Sequence, residues 1–206
     1  MDRHQAAQDM LATHAHYAQQ GMSLASAALA GATTFVRWAH YPRQDVDDDM
    51  HGTRFFYHAH EPEEMLAQEH GHFHIFARTR RKPLARYAHV VGVSIDARGT
   101  PLRLFTTNQW VTGEDWASAT DLARVIQRFR LQTAGRLAPV ARWVNGMMEF
   151  YASQLVALLH ERDARLHAHA RRTQQSPQRA RADRSLHIVS EQHLPNHWQH
   201  LQKESL

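Results

Sequence analysis

The sequence predicts an α+β fold: a small antiparallel sheet of about four strands, packed by an N-terminal helix and two C-terminal helices. Three observations support this prediction. Residues 3–20 have helical spacing of apolar side chains, residues 54–107 alternate with a period of two, and helical spacing returns after residue 112. Strands and helices that are separated along the chain are typical of α+β proteins.

The N-terminal region predicts one helix over residues 3–20, interrupted at Gly21, and a short alanine-rich helix over residues 23–29. Tyr41-Pro42 indicates a turn, and an acidic patch follows it at residues 45–49. The stripe expected to pack the first helix consists of Ala6, Met10, Leu11, His14 and Tyr17.

The middle of the chain predicts four consecutive strands with short connections, which favours an antiparallel meander. Gly99 and Pro101 indicate a hairpin loop between the last two strands. The predicted strands are Arg54–His60, Glu69–Arg78, Tyr87–Asp96 and Leu102–Thr107.

The C-terminal half predicts two helices and then a tail. Residues 112–115 resemble a capping box ahead of a helix that begins near Trp116, and a longer amphipathic helix begins near Pro139. After His169 the chain becomes polar and rich in arginine. We therefore expect one α+β domain over residues 1–170 and a polar, arginine- and histidine-rich tail over residues 171–206.

Composition excludes several function classes. The chain has no cysteine, so thiolate metal ligands, disulfides and cysteine nucleophiles are ruled out. The polar first ten residues do not resemble a secretory signal, and the stretch 22–32 is too short to span a bilayer. We expect a soluble, cytoplasmic protein. Residues 165–184 carry six arginines and one acid but no aromatic residue, which favours a solvated segment over a nucleic-acid site.

Histidine is the most unusual component, with 18 in 206 residues. Strand residues i and i+2 share a face about 6.6–7 Å apart, and a neighbouring strand lies about 4.8 Å away, so histidines on adjacent strands can converge on one ion. The alternate residues of both strands are apolar and are expected to face the core. The predicted metal ligands are His58, His60, His70, His72 and His74.

Imidazole ligands suit a divalent transition metal, and Zn, Fe(II), Mn, Ni and Cu(II) all remain candidates. Three histidines with an open position would suit a metal-dependent hydrolase or oxidoreductase acting on a small molecule, whereas four would suit a closed structural site. Glu69 is expected to face away from His70 and to serve at most as a carboxylate that orients an imidazole. The patch 45–49 is a further source of oxygen ligands.

Two other functions remain open at this stage. One is a metal-binding or partner protein without enzymatic activity. The other follows from residues 70–76, which resemble the histidine-triad signature and would imply nucleotide hydrolysis or transfer with His72 as the nucleophile. Gly71 departs from that motif, and its upstream phosphate-binding segment is not found. The sequence does not determine the oligomeric state.

Other histidines and tryptophans are expected to have packing or surface roles, although His40, His51 and His89 could add ligands. The expected core anchors are Trp38, Trp110 and Trp116, and the expected surface histidines of the tail are His187, His193, His197 and His200.

Most of residues 35–165 resembles a family of uncharacterised bacterial proteins of similar length. The resemblance rests on four blocks and implies one fold but no known activity. The blocks are Trp38-Ala-His-Tyr-Pro42 with Asp45 and Asp48, Tyr57-His-Ala-His60, Glu69-His-Gly-His-Phe-His-Ile-Phe76, and Leu104-Phe105 through Asn108-Gln-Trp-Val-Thr-Gly-Glu114.

Overall fold

The structure is a computed structural model that describes residues 2–79 and 86–205. Within these ranges the chain forms one six-stranded sheet whose strands pair in sequence order, each antiparallel to the next. The predicted α+β class and antiparallel pairing are therefore confirmed. The strands are β1 (Tyr41–Asp48), β2 (Thr53–His58), β3 (Gly71–Ala77), β4 (Ala88–Ile95), β5 (Pro101–Thr107) and β6 (Ile188–His193).

Eight helices accompany the sheet in the part of the chain that the structure describes. They are α1 (Arg3–Gln19), α2 (Leu24–Ala28), α3 (Gln109–Thr112), α4 (Ala119–Ile126), α5 (Ala138–Phe150), α6 (Ala152–Arg172), α7 (Pro177–Arg181) and α8 (His197–Glu204). None of the helices in the described ranges is long and apolar enough to cross a membrane.

The sheet has six strands rather than about four, because β1 and β6 were not among the predicted strands. Both lie at the edges of the sheet. Edge strands carry charged side chains and proline, so their alternation is weak. In β1, Tyr41, Val46 and Asp48 are buried and the remaining residues are half-buried or exposed. Pro42, which was expected in a turn, lies within this strand.

Residues 171–206 were expected to form a linker or tail, but they contain α7, β6 and α8. Strand β6 pairs with β5, and Ser190 Oγ donates a hydrogen bond to the Leu158 carbonyl at 2.8 Å. Helix α8 packs against α1. Long-range pairing gives this polar segment its structure, and no local pattern indicated it.

The core lies on one face of the sheet, between the strands and helices α1 and α5. Phe73 of β3 packs against Trp143 of α5, with ring centroids 5.3 Å apart, and both side chains are fully buried. Helices α1 and α5 approach closely at Gly146, where a Cβ would lie 2.6 Å from Met10 Cγ. The opposite face of the sheet therefore carries the remaining side chains of β2–β5, including the histidines.

Two expected helix boundaries need correction. Helix α4 begins after Ser118, whose side chain accepts a hydrogen bond from the Asp121 amide, so the cap does not lie at residues 112–115. Thr112 instead ends the short helix α3, and Gly113 follows in the left-handed conformation with φ of 69°. The helix that was expected from Pro139 onward is divided at Tyr151 into α5 and α6.

His197 was expected at the surface, but α8 buries it to 1% exposure. The Tyr151 hydroxyl and His197 Nδ1 are hydrogen-bonded at 2.6 Å. His14 of α1 packs nearby against Trp198, with ring centroids 4.6 Å apart. Burial lowers the pKa of His197 to about 3 and that of His14 to about 4. Both imidazoles are therefore neutral in the folded protein near neutral pH.

We expect acid to destabilise the protein through His197. In the unfolded chain this histidine takes up a proton below a pH of about 6.5, whereas in the fold it does so only near pH 3. The unfolded state therefore binds more protons between these values, and the free energy of unfolding falls as the pH falls. Between pH 7 and pH 4, the titration of His197 lowers the free energy of unfolding by about 3 kcal/mol.

The measurement is urea unfolding at pH 7 and pH 4, in the presence of chelator, for the natural protein and His197→Gln. The variant cannot titrate at this position and should lose about 3 kcal/mol less between the two pH values. Equal pH dependence in both proteins would show that His197 does not carry the effect.

Candidate metal centre

Strands β2 and β3 bring three histidines together on the sheet face opposite the core. His58 and His72 occupy directly opposed positions of the antiparallel pair, and His74 lies two residues further along β3 opposite Phe56. All three side chains are buried, with exposures of 8%, 3% and 2%. Each offers one ligand nitrogen that lies within 4.8 Å of the other two. These three residues, the histidine cluster, could therefore hold a metal ion.

Hydrogen bonds orient two imidazoles of the cluster. His72 Nδ1 lies 2.6 Å from Glu69 Oε1, so it donates its proton to the carboxylate and leaves Nε2 as a lone pair. His74 Nδ1 lies 2.9 Å from His89 Nε2, and His89 Nδ1 lies 3.3 Å from the Thr107 hydroxyl. If each Nδ1 donates along this chain, His74 Nε2 is also a lone pair.

The imidazole of His58 contacts that of His72 directly. His58 Nε2 lies 2.8 Å from His72 Nε2. Two lone pairs at this distance repel each other unless a proton or a cation lies between them. Without metal, His58 Nε2–H donates to His72. With metal, both nitrogens become available for the same ion.

Burial lowers the pKa of four histidines on this face, His58, His60, His74 and His89. Burial, followed by the neighbouring histidines, lowers the pKa of His58 to about 2 and places that of His74 well below its ordinary value. Burial lowers the pKa of His60 to about 4 and that of His89 to about 3. Neutral imidazole is the form that binds metal, so the cluster needs little proton release to accept an ion.

Glu69 is held as a buried carboxylate. Its side chain has no exposed surface, and its Oε2 lies 3.3 Å from Arg103 Nη2. Burial alone would raise the pKa of Glu69, but the hydrogen bond with His72 and the Arg103 guanidinium hold it below its ordinary value. The prediction that Glu69 orients an imidazole agrees with this geometry, and the imidazole it contacts is that of His72.

His60 lies beside the cluster. Its ring centroid is 4.8 Å from that of His58 and 4.9 Å from that of His72, and its side chain is buried. Its other face stacks on Trp38 at 4.1 Å with the rings 14° from parallel. The structure therefore places His60 as a neighbour that can approach the same ion.

His70 does not share the site. Strand β3 begins at Gly71, so the alternation that governs His72 and His74 does not extend back to residue 70. The His70 ring stacks on Phe35 at 4.7 Å, and its Nδ1 is hydrogen-bonded to the Tyr57 hydroxyl at 2.7 Å. The expectation that five histidines share one face is therefore corrected to four, without His70. The histidine-triad interpretation loses support because the three histidines of that motif are not together.

The three histidines that were expected as possible additional ligands divide into two groups. His89 and His40 lie next to the cluster: His89 bonds to His74, and the His40 ring lies 5.6 Å from that of His58 while stacking on Phe56. His51 lies elsewhere and contacts Asp48, with Nδ1 2.7 Å from Oδ2. His187 of the expected tail also approaches the site, 6.0 Å from the His60 ring.

Sequence reasoning missed the bond between His89 and His74. A register shift between Ile75 and Phe76 places His89 opposite Phe76 in the β3–β4 pair. Such irregularities re-aim side chains and leave no mark in a period-two pattern.

Trp38 is not the core anchor that was expected. It is 53% exposed and has a left-handed backbone with φ of 65°. Trp110 and Trp116 are half-buried, and Arg162 lies over the Trp116 ring at 4.0 Å. The fully buried anchor of the core is Trp143 instead.

Fold and site together define an α+β protein with a buried histidine cluster that could bind a metal ion. The chain belongs to the family described as domain of unknown function DUF6969, whose model matches residues 4–194. This match agrees with the expected membership of an uncharacterised family and assigns no activity. Comparisons with curated proteins and with solved structures gave no match.

Proposed function

We propose that the protein is a small metal-dependent enzyme that binds one divalent transition-metal ion through His58, His72 and His74. The observation that carries the proposal is the convergence of three buried imidazoles, two of which are oriented by hydrogen bonds to Nδ1. The pairing of a carboxylate with a ligating histidine, as in Glu69 and His72, is usual around protein metal sites.

The spacing of the nitrogens supports binding by one ion. Two nitrogens that are each about 2.0–2.1 Å from an ion lie about 3 Å apart when they occupy adjacent positions. The 2.8 Å separation between His58 and His72 is close to this value. The ligand nitrogen of His74 lies within 4.8 Å of the other two and would complete a three-nitrogen set. Zn, Fe(II), Mn, Ni and Cu(II) accept such ligands.

Three protein ligands favour catalysis over a purely structural role. They leave at least one position on the ion for water or substrate, and an ion with an open position can polarise a substrate or activate water or oxygen. We therefore propose a hydrolase or oxidoreductase that acts on a small molecule. The position of His60 favours one alternative: a fourth imidazole on the ion would close the site, as in a metal-binding protein without activity.

Elemental analysis of protein purified without an affinity tag tests metal binding. We expect about one transition-metal ion per chain in the natural protein and in His70→Ala, because His70 turns away from the cluster. We expect the double variant His58→Ala/His72→Ala to contain none. Metal content well below one ion per chain, after growth with each candidate metal, would contradict the proposal.

Reconstitution with Co(II) distinguishes the open site from the closed one. An open position predicts that azide changes the Co(II) absorption spectrum and that His60→Ala still binds one ion. A closed four-nitrogen site predicts no response to azide and loss of the ion in His60→Ala. The second result would replace the enzymatic proposal with the non-enzymatic one.

A further inference from the structure

A groove of about 800 Å³ lies next to the histidine cluster. Two segments line it, here called its walls: residues 35–38, and residues 61–62 with 65–67; Ala59, Glu69 and His70 complete the lining. Small-molecule sites in proteins usually have volumes of about 300–1,000 Å³ and a mostly apolar lining. The apolar residues that line this groove are Phe35, Val36, Trp38, Pro62, Met65 and Leu66.

Exposed apolar side chains are concentrated in this wall. Val36 is 54% exposed and Trp38 is 53% exposed, and among the other large apolar side chains of the described ranges only Met50 is more exposed. Trp38 also has φ of 65°, a left-handed conformation that costs a non-glycine residue of order 1–2 kcal/mol. A strained backbone that presents a tryptophan to the surface is a feature of ligand sites more than of packing.

Hydrogen bonds within the protein hold the wall formed by residues 35–38 in place without a ligand. The Trp38 amide donates to the Ala59 carbonyl at 2.8 Å, and the Val36 amide donates to the Tyr41 hydroxyl at 2.6 Å. Arg37 Nη1 lies 3.0 Å from Glu61 Oε2, which links the two walls. A preformed wall means that binding need not order this segment.

The groove is connected to the histidine cluster at two points. Glu69 is one of its lining residues, and its buried carboxylate accepts the hydrogen bond from His72. Trp38 stacks with one face on His60, which neighbours both His58 and His72. A ligand in the groove therefore lies one side chain away from the proposed metal ligands.

Charges in the groove are already compensated. Arg37 is paired with Glu61, and the Glu69 carboxylate is paired with Arg103. The His70 ring stacks on Phe35 and its Nδ1 lies 2.7 Å from the Tyr57 hydroxyl, so Nε2 is the ring nitrogen left for a ligand. An ionised ligand would have no unpaired charge of opposite sign in the lining, whereas an uncharged ring could stack and form one hydrogen bond with His70 Nε2.

We propose that this groove binds an uncharged aromatic ring compound as the substrate of the metal centre, with Trp38 and Phe35 as its apolar wall. The term substrate rests on the metal-dependent activity proposed above, whereas binding in the groove does not require metal. Offset or edge-on packing of aromatic rings contributes about 0.5–1.5 kcal/mol beyond area burial.

The test uses naphthol, with naphthoate and naphthylmethylamine as charged analogues of the same ring. Binding to the full chain is measured by titration calorimetry. We expect naphthol to bind most tightly, Trp38→Ala to weaken it roughly fivefold to tenfold, and Trp38→Phe to retain most of the affinity. Trp116→Ala is the matched control, because Trp116 lies outside the groove against Arg162, and it should bind naphthol as the natural protein does.

Two further measurements distinguish a groove that does not bind the aromatic ring from a protein that does not bind metal. His58→Ala/His72→Ala should still bind naphthol, and naphthol should perturb the Co(II) spectrum of the natural protein. Naphthol binding without metal uptake would keep the groove and remove the substrate assignment. Metal uptake without naphthol binding, or tighter binding of either charged analogue, would overturn the ligand class. An unchanged Co(II) spectrum in saturating naphthol would overturn the link to the centre.

Discussion

His72→Ala is expected to reduce the affinity for the metal ion by more than about 100-fold, since even the residues that orient ligands are each worth about 10–100-fold. His72 is the central member of the histidine cluster: its Nε2 meets His58 and its Nδ1 meets Glu69. Removing it leaves two imidazoles and a buried carboxylate without its histidine partner. The ion then loses a ligand and part of the framework that positions the others.

The weaker metal binding of His72→Ala should also reduce the stabilisation of the fold by the ion. An ion present at 100 times its Kd stabilises the fold by about 2.7 kcal/mol, and a 100-fold weaker site reduces this to about 0.4 kcal/mol. For a chain of this size the difference corresponds to roughly 5–9 °C in Tm. The measurement is thermal unfolding with and without metal. Comparing each protein with its own metal-free form removes the direct cost of the substitution.

His51→Ala is the matched control, because His51 makes the same kind of contact with a carboxylate but lies outside the cluster. It should retain the full metal-dependent increase in Tm. If His72→Ala kept that increase, the ion would be bound elsewhere. If both variants lost it, the increase would reflect the folded state in general and not the cluster.

The sequence predicted the central strands well because the alternation that defines a strand, and the face on which each side chain lies, are both read from neighbouring residues. Period-two alternation placed Phe73 and Ile75 in the core and put His58, His72 and His74 on the other face. The apolar stripe of α1 is likewise a local pattern. Burial of one face fixes the register of a strand, since a slip of one residue would expose every core side chain.

What the sequence could not give depends on contacts between distant segments. Strand β6 pairs with β5 across about eighty residues of intervening chain, and its own sequence is polar. The position of His70 depends on where β3 begins, and strand ends are poorly determined by pattern. The exposed position of Trp38 follows from a left-handed backbone that aromatic composition does not predict.

The site shows the same division. The three candidate ligands and Glu69 lie within residues 58–74, so their proximity followed from strand pairing, whereas His89 lies on β4. Arg103, which neutralises Glu69, comes from β5, and Thr107, which ends the hydrogen-bond chain through His89, lies on the same strand. Residues contributed by a strand that is not adjacent to the histidine pair carry no sequence signature that links them to it.

Glu69→Gln tests whether this buried carboxylate tunes the metal centre. The amide oxygen can still accept from His72, but it carries no charge, so His72 becomes a weaker ligand and Arg103 loses one of two acidic partners. We expect the metal affinity to fall about 10–100-fold. We expect the free energy of unfolding to fall by less than the 3–5 kcal/mol that is typical of breaking a buried ion pair, because Glu191 still pairs with Arg103 at 2.7 Å.

Asp48→Asn provides the comparison that separates these two effects. Asp48 is also a buried carboxylate bonded to a histidine, and it accepts backbone hydrogen bonds from His51 and Gln132 at 3.1 and 2.8 Å. Its loss should destabilise the fold and leave metal affinity unchanged. Competition titration with a chromophoric chelator measures the affinity, and urea unfolding measures the stability. If Glu69→Gln altered stability alone, as Asp48→Asn should, then Glu69 would serve the fold and His72 would bind the ion without its help.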